Sequence, residues 1–411
     1  MKVFSRFIDS GAAPPRADSV SILDAGCGVG VLGICAATAI GDLPGFRTGA
    51  NAGGEVCVRA QDRDELARIF TEYNARHNGL CQERLTAHAE PLLAAAGKKA
   101  AGQAWDIILS NIPAKAGRPV LKDFICRSAA CLKPGGLVFL VAVNTLADFF
   151  RSCIAAAGAN LVREERGKEH SVFVYGGAVQ GNGHAADDNA LCAPVLFGEN
   201  FPQDYPFYIR KRGAYEMEGI SYRLDTVHGA ADFDNPGGAV QAAAKLAVKF
   251  SLAAKLRDKN AALLIHDDAG QGHFALWLAH YLARDANGGD FRWVLSGRNV
   301  LALATTRAAF GNVGGVPQQR IPPLTIPLAD ISLDREQFTA AALFAFCAFF
   351  PQTLNANTWQ GLTALAASGG IVITGASSAE ADRFDRKKPE GWIRLGDIKR
   401  KGFRALAYQS K

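Results

Sequence analysis

The sequence predicts an α/β chain built as two tandem domains, each a mostly parallel sheet with helices on both faces. Three observations carry this prediction. Short apolar runs alternate with stretches of helical spacing from Val20 to about Tyr175. The same alternation resumes after a polar, glycine-rich stretch, and in each half a glycine turn follows the first apolar run. Such alternation marks strand–helix–strand crossovers, and 411 residues exceed what one core ordinarily supports.

In order along the chain, Val20 to Leu23 reads as a buried strand and Val31 to Ile40 as a helix. Glu55 to Ala60 is a short strand. Asp64 to His77 has helical spacing that puts Leu66, Ile69, Phe70 and Tyr73 on one face. Trp105 to Leu109 is a strand, Val120 to Leu132 a helix, and Lys133-Pro134-Gly135-Gly136 a turn into the buried strand Leu137 to Val143. Asn144 to Ala157 is helical, and His170 to Tyr175 is a last strand. Gly176 to Ala193 is polar and glycine-rich and reads as a linker. The predicted division is therefore a first domain at 1–177, a linker at 178–193 and a second domain at 194–411.

The second half repeats this order. Ala262 to Ile265 is a strand, Asp268 to His273 a glycine turn, and Phe274 to Leu282 a helix. Trp293 to Leu295, Leu343 to Phe349 and Ile371 to Thr374 are strands, with helices at Val300 to Phe310 and Trp359 to Ala367. Gly369-Gly370 mirrors Gly135-Gly136. The repeated order points to two Rossmann-like domains arising by internal duplication.

Composition narrows the function classes. The chain is 49% hydrophobic and 20% charged, as globular proteins are. A net charge of +6 permits a polyanionic partner without demanding one. The nine cysteines form no Cys-x-x-Cys pair, which favours free thiols in a reducing compartment and argues against a zinc site. No apolar run reaches membrane-spanning length, and no signal-peptide core opens the chain. The expectation is a cytoplasmic protein with no metal and no membrane partner.

The first glycine turn carries the most chemistry. Asp24 closes a strand, and Gly26, Gly28 and Gly30 follow at every second position around Cys27. Glycines there let backbone approach a ligand where a Cβ would clash, and the turn aims the next helix's N-terminus at that ligand. Cys27 reads as a small packing residue of the loop. An acid after the second strand accepts hydrogen bonds from ribose hydroxyls in folds of this kind. Asp62 fills that place, and Asp64 reads as a helix N-cap. Asn111-Ile112-Pro113 follows a later strand, on the carboxyl edge where open α/β sheets bind ligands. An amide oxygen and a neighbouring carbonyl at such an edge are two acceptors that can orient a ligand's N–H groups. Proline at 113 fixes the turn.

Asp24-x-Gly26-x-Gly28-x-Gly30 is similar to the first motif of class I S-adenosylmethionine-dependent methyltransferases. Asn111-Ile112-Pro113-Ala114 resembles the Asn-Pro-Pro-Phe/Tyr motif of those that methylate planar nitrogens, with Ile112 for the first proline and Ala114 for the aromatic. Asn74-Ala75-Arg76-His77-Asn78-Gly79-Leu80 and the opening Val3 to Gly11 also resemble stretches of this group. Together, residues 1–175 resemble the "small" methyltransferase domain of ribosomal RNA guanine-N2 methyltransferases. The resemblance implies S-adenosyl-L-methionine as cofactor, held by Asp24, Gly26, Cys27, Gly28, Gly30, Asp62 and Asn111. The adenine-contacting segment falls near His88-Ala89-Glu90, with Ala89 as its contact. It implies Asn111, Ile112 and Pro113 as the catalytic turn, and RNA, at a guanine N2 amine, as substrate. The missing aromatic keeps a protein-glutamine or small-molecule N-methyltransferase open as an alternative. A non-catalytic RNA-binding or assembly protein that keeps the fold is the second alternative.

The second half resembles a degenerate copy. Tyr222 to Ala230 echoes the run before the cofactor strand, and Asp268-Ala269-Gly270-Gln271-Gly272 keeps an acid and two glycines, with Phe274 at the expected place of the third. Ser296-Gly297-Arg298 has no ribose acid, and Phe349-Phe350-Pro351-Gln352 no asparagine. In the resembled family the active copy is usually second, whereas here it is first. Arg210-Lys211-Arg212 and the tail from Arg383 to Arg404, with Phe384, Trp392 and Phe403 among its cations, suit a phosphate backbone and unstacked bases, or else an ordinary solvated surface.

Overall fold

Burial on both faces is what a central parallel strand demands. In the computed structural model the first apolar run meets it: β1 (Ser19–Ala25) buries Ile22, Leu23, Asp24 and Ala25. The structure describes residues 2–9, 19–42, 55–93, 105–178, 201, 205–230, 234–257, 261–267, 270–285, 291–311, 313, 323–329 and 343–411. The chain divides into two units, Met1–Asn200 and Phe201–Lys411.

In the first unit, α1 (Lys2–Asp9) precedes β1, and α2 (Val31–Gly41), β2 (Glu55–Asp62), α3 (Glu65–His77) and β3 (Leu85–Ala89) follow. Next come β4 (Trp105–Asn111), α4 (Arg118–Ala130), β5 (Leu132–Val143), α5 (Ala147–Ala156), β6 (Ala159–Arg166) and β7 (His170–Ala178). The seven strands lie in the order β3-β2-β1-β4-β5-β7-β6. The first five are parallel, while β7 runs antiparallel to both β5 and β6. Winding starts at β1 and turns back at β4, so right-handed crossovers place α2 and α3 on one face and α4 and α5 on the other. The carboxyl ends of β2, β1 and β4 thus meet at one edge, at the switch point where such sheets bind ligands.

The second unit opens with a separate hairpin, β8 (Ile209–Met217) and β9 (Ile220–Val227), followed by α6 (Gly238–Lys249) and α7 (Leu252–Leu256). Then come β10 (Ala261–Asp267), α8 (His273–Asp285), β11 (Phe291–Gly297), α9 (Val300–Phe310), β12 (Leu324–Pro327) and β13 (Phe344–Phe350). The unit ends with α10 (Asn357–Leu365), β14 (Ala366–Ser377), α11 (Ser378–Arg386), β15 (Trp392–Arg400) and β16 (Phe403–Ser410). Its sheet order, β12-β11-β10-β13-β14-β16-β15, matches the first strand for strand. Even an irregularity repeats: the register shifts between Trp105 and Ile107 and between Phe344 and Phe346. Each shift is forced at a glycine, because a Cβ on Gly136 or Gly370 would lie 2.8 or 2.7 Å from a backbone carbonyl. The chain is therefore α/β, with two Rossmann-like sheets.

Several boundaries differ from the sequence expectation, each for a physical reason. The predicted apolar face of α3 is not its buried face: Phe70 and Tyr73 are 45% and 58% exposed, while Glu65, Thr71 and Ala75 face inward. The backbone at Gly30 lies so close that a Cβ there would meet the Thr71 methyl at 2.8 Å, so only small side chains fit on that side of α3. The turn at Lys133 to Gly136 lies inside β5. The helix expected from Asn144 opens as a 3-10 turn at Asn144–Leu146, where the Asn144 side chain donates to the carbonyls of Gly167 and Lys168 and accepts from Ser171, and becomes α-helical at Ala147. Gly176 to Ala178 belong to β7, and the rest of the expected linker lies outside the described residues.

Candidate active site

The glycine turn is fastened from several sides, and each fastening follows from a residue type in the sequence. Asp24 ends fully buried, with Oδ2 accepting from the Gly33 N–H at 2.8 Å. Gly33 permits this contact, since a Cβ there would lie 2.9 Å from that oxygen. The other oxygen, Oδ1, has no partner among the described residues. Burial pushes the Asp24 carboxyl up to about 7; the Gly33 N–H lowers it and the nearby Asp62 charge raises it.

Gly26, Gly28 and Gly30 have φ of 75°, 55° and 85°, the left-handed region that side chains disfavour. The N–H groups of Gly26 and Cys27 donate to the Gln61 carbonyl at 2.8 and 3.1 Å. Gly28 N–H donates to Asp62 Oδ2 at 3.2 Å. From α3, the Thr71 hydroxyl donates to the Gly28 carbonyl at 3.0 Å and the Asn74 amide to the Val29 carbonyl at 2.8 Å. Cys27 is buried beside Thr71, and burial pushes its thiol far up, so it stays protonated and packs.

Asp62 is the last residue of β2. Its Oδ1 accepts from the Asp64 N–H at 3.0 Å, and Asp64 caps α3 through the Leu66 N–H at 2.9 Å. A carboxylate offers about four acceptor positions, so Asp62 retains capacity for hydroxyl donors. Ala89 is Asp62's register partner on β3, half-buried at the same edge. Its neighbours are tied by Arg59, which pairs with Glu90 at 2.6 Å and with His88 Nε2 at 3.1 Å. Burial, then the Arg59 charge, lowers the His88 pKa.

On β4, Ser110 donates its hydroxyl to the Ala25 carbonyl at 2.7 Å. Asn111 follows, exposed, its side chain bonded to none of the described residues. Ile112 is buried and anchors the turn, Pro113 has φ −72°, and a 3-10 turn at Ala114–Ala116 leads to Gly117 at φ 88°. Asp24, the glycines, Asp62 and Asn111 thus share one edge of three adjacent strands, with Ala89 one strand further out. Sequence reasoning missed Gln61, Thr71, Asn74 and Ser110. Asn74 left a trace in it, as the first residue of the Asn74 to Leu80 stretch.

The donor set fits an S-adenosylmethionine molecule. Gly28 has nothing within 4 Å of where a Cβ would stand, Asp62 presents open acceptor positions beside it, and a cationic ligand complements the unpartnered carboxylate oxygen of Asp24.

At the equivalent registers the described residues of the second unit carry other groups. Strand registers align Ile107–Leu137 with Phe346–Ile371, each the first pair after its shift. By the same registers Ile265 stands where Asp24 does, Gly297 where Asp62 does, and Phe350 where Asn111 does. The acid read at Asp268 lies outside the described residues. Gly272, at φ 88° before α8, takes the place of Gly30 at φ 85° before α2, so Phe274 does not occupy the third glycine's place. Scaffold contacts persist: Thr306 donates to the Gln271 carbonyl as Thr71 does to Gly28, and Asn299 caps α9 as Asp64 caps α3. Gln271 also bonds both backbone groups of Val227, at 2.9 and 3.0 Å.

The basic tail is a folded part of this unit. Phe384 and Trp392 are buried with Trp359 and Tyr408. Arg404 pairs with Asp382 and Asp397, and Arg394 with Asp385 and Asp397. On the hairpin, Arg210 and Arg212 pair with Asp234 and Asp225. Among the described residues no helix is long and apolar enough to cross a membrane, and no cluster of side chains suits a metal ion.

A Rossmann-like sheet with a glycine turn, a strand-end acid and a strand-end asparagine at its switch point is the arrangement of a class I methyltransferase domain. Residues 12–155 match the family model of the methyltransferase small domain, and the protein is an S-adenosylmethionine-dependent methyltransferase. No curated protein sequence matches the chain. Among solved structures, a T. thermophilus 16S rRNA N2 methyltransferase in complex with AdoMet and guanosine is similar at 16% identity and TM-score 0.55, over 95% of this chain and 88% of that one. Magnesium protoporphyrin IX methyltransferase from Synechocystis with bound SAM has 16% identity and TM-score 0.32, over 43% of this chain and 77% of that one. A methyltransferase from Clostridium acetobutylicum has 12% identity and TM-score 0.32, over 43% and 92%.

Proposed function

We propose that the first unit, residues 1–177, methylates an exocyclic amine of RNA, the guanine N2 of ribosomal RNA, in the cytoplasm, and that residues 194–411 are a degenerate copy that helps hold the substrate. The observation that carries this reading is Asn111: exposed, unengaged and joined through Ser110 to the glycine turn. S-adenosylmethionine, when bound, supplies an electrophilic methyl group on a cationic sulfur. Gly26, Cys27, Gly28 and Gly30 line its binding edge, Asp62 takes the ribose hydroxyls, and Ala89 leaves room for the adenine. Asn111 Oδ1 and the Ile112 carbonyl accept the two N–H bonds of the target amine and turn its lone pair toward the methyl carbon. Pro113 holds that turn rigid. Transfer would form the N–C bond as the methyl–sulfur bond breaks, leaving its electron pair on sulfur, and the amine's proton would pass to solvent.

The test is transfer of labelled methyl groups to RNA and protein fractions from cells lacking the enzyme. Label in ribosomal RNA at guanine N2 is the expected result. Label in protein alone would sink the RNA assignment and favour a glutamine amide, the reading that a small exposed Ala114 beside Asn111 suits.

A further inference from the structure

Helices α4 and α5 both begin at the carboxyl edge of the sheet that carries Asn111, because each follows a parallel strand there. The first residue of α4, Arg118, holds its guanidinium over the ring of Phe149, in the first turn of α5, with 5.4 Å to the ring centroid. Phe149 is half-buried and braced from behind by Phe150 at 5.7 Å, edge to face. Arg118 is exposed and has no carboxylate partner among the described residues, and neither has exposed Lys115, three residues earlier on the turn from Asn111. The neighbouring acids are engaged elsewhere: Asp123 by Arg127, and Asp148 by Arg151.

A guanidinium backed by an aromatic ring is flat and pre-oriented, and its outer face is a stacking surface for a base. Ala114, on the turn from Asn111, has no ring to offer. We propose that Arg118, seated over Phe149, is the platform on which an unpaired RNA base stacks beside the target amine, with Lys115 taking the adjoining phosphate. Arg118 would touch the substrate, and Phe149 would be its positioning residue. This inference rests on the RNA reading above and adds the group that grips the strand.

Arginine and lysine share a charge but not a plane, so Arg118→Lys separates stacking from simple attraction. The readouts are KM and kcat for methyl transfer to RNA, the salt dependence of RNA binding, and the Kd of S-adenosylmethionine. Arg118→Lys is expected to raise the RNA KM about tenfold with the salt slope unchanged, a loss in the range of one stacked base. Phe149→Leu should do the same and Phe149→Trp restore it, while cofactor Kd stays constant. Lys115→Ala should lower the slope of log K against log salt by about 0.7. A silent Arg118→Lys or Phe149→Leu would overturn the platform while leaving the RNA assignment intact. Equal losses in RNA KM and cofactor binding would assign Phe149 to packing and overturn it too. Absence of any transfer to RNA by the unaltered protein would remove the RNA reading and this inference together.

Discussion

The Ser110 hydroxyl lies 2.7 Å from the Ala25 carbonyl, so the asparagine turn and the glycine turn are bolted to one another across β1 and β4. The bond is buried, and on the roles proposed above it links the residue that would orient the nucleophile to the loop that would hold the methyl donor. Removing a buried hydrogen bond costs about 1 kcal/mol, and small misplacements cost rate more than binding. Ser110→Ala is therefore expected to lower kcat about tenfold with a smaller change in cofactor Kd. A larger effect on cofactor Kd than on kcat would show that the bond shapes the cofactor loop alone.

The proposed roles of Asp62 and Asn111 predict separable effects. Asp62→Ala removes a carboxylate that also receives the Gly28 N–H, and should weaken S-adenosylmethionine binding roughly 10- to 100-fold. Asn111→Ala should leave that affinity unchanged and reduce kcat by about two to three orders of magnitude. Calorimetry paired with single-turnover transfer separates the two, and full activity in Asn111→Ala would dismiss the target-site assignment.

Asp24 gives the free protein a pH signature. Its carboxyl ordinarily titrates at 3.8 and is pushed up to about 7 in the folded state. Between those values the folded protein keeps a proton that the unfolded chain has released, so this group's contribution to stability falls as pH rises through that window. Asp24→Asn should lack that fall. Thermal melts of both proteins from pH 4 to pH 8 would show the Asn variant gaining on the parent as pH rises, and parallel profiles would contradict it.

The second unit should bind no cofactor. With Ile265, Gly297 and Phe350 at the three key registers, neither the ribose acceptor nor the amine acceptor is present. Calorimetric titration of the full chain should give one S-adenosylmethionine per chain, and Asp62→Ala should not leave a second tight site. A stoichiometry of two would refute the degenerate assignment.

Much of the fold was legible because a parallel sheet buries its strands on both faces, which leaves apolar runs that composition cannot hide. The Val300–Phe310 helix and the Asp64 cap stand as the sequence places them. The face of α3 was illegible because it depends on how closely Gly30 approaches, a tertiary fact with no periodic signal. The basic tail was legible only in part: charge and aromaticity were visible, but the pairing of Arg394 and Arg404 with Asp382, Asp385 and Asp397 was not. In the second unit, spacing suggested Asp268 as the acid, while strand register puts Ile265 at that place.

The repeated sheet has one more use. Gly272, Thr306, Asn299 and Gly370 keep the parts played by Gly30, Thr71, Asp64 and Gly136, whereas Ile265, Gly297 and Phe350 stand at the registers of Asp24, Asp62 and Asn111. The molecule therefore carries its own comparison, the same sheet built with other side chains at the three registers. Restoring acids at 265 and 297 and asparagine at 350 would ask how few side chains separate an inert wall from a working catalyst.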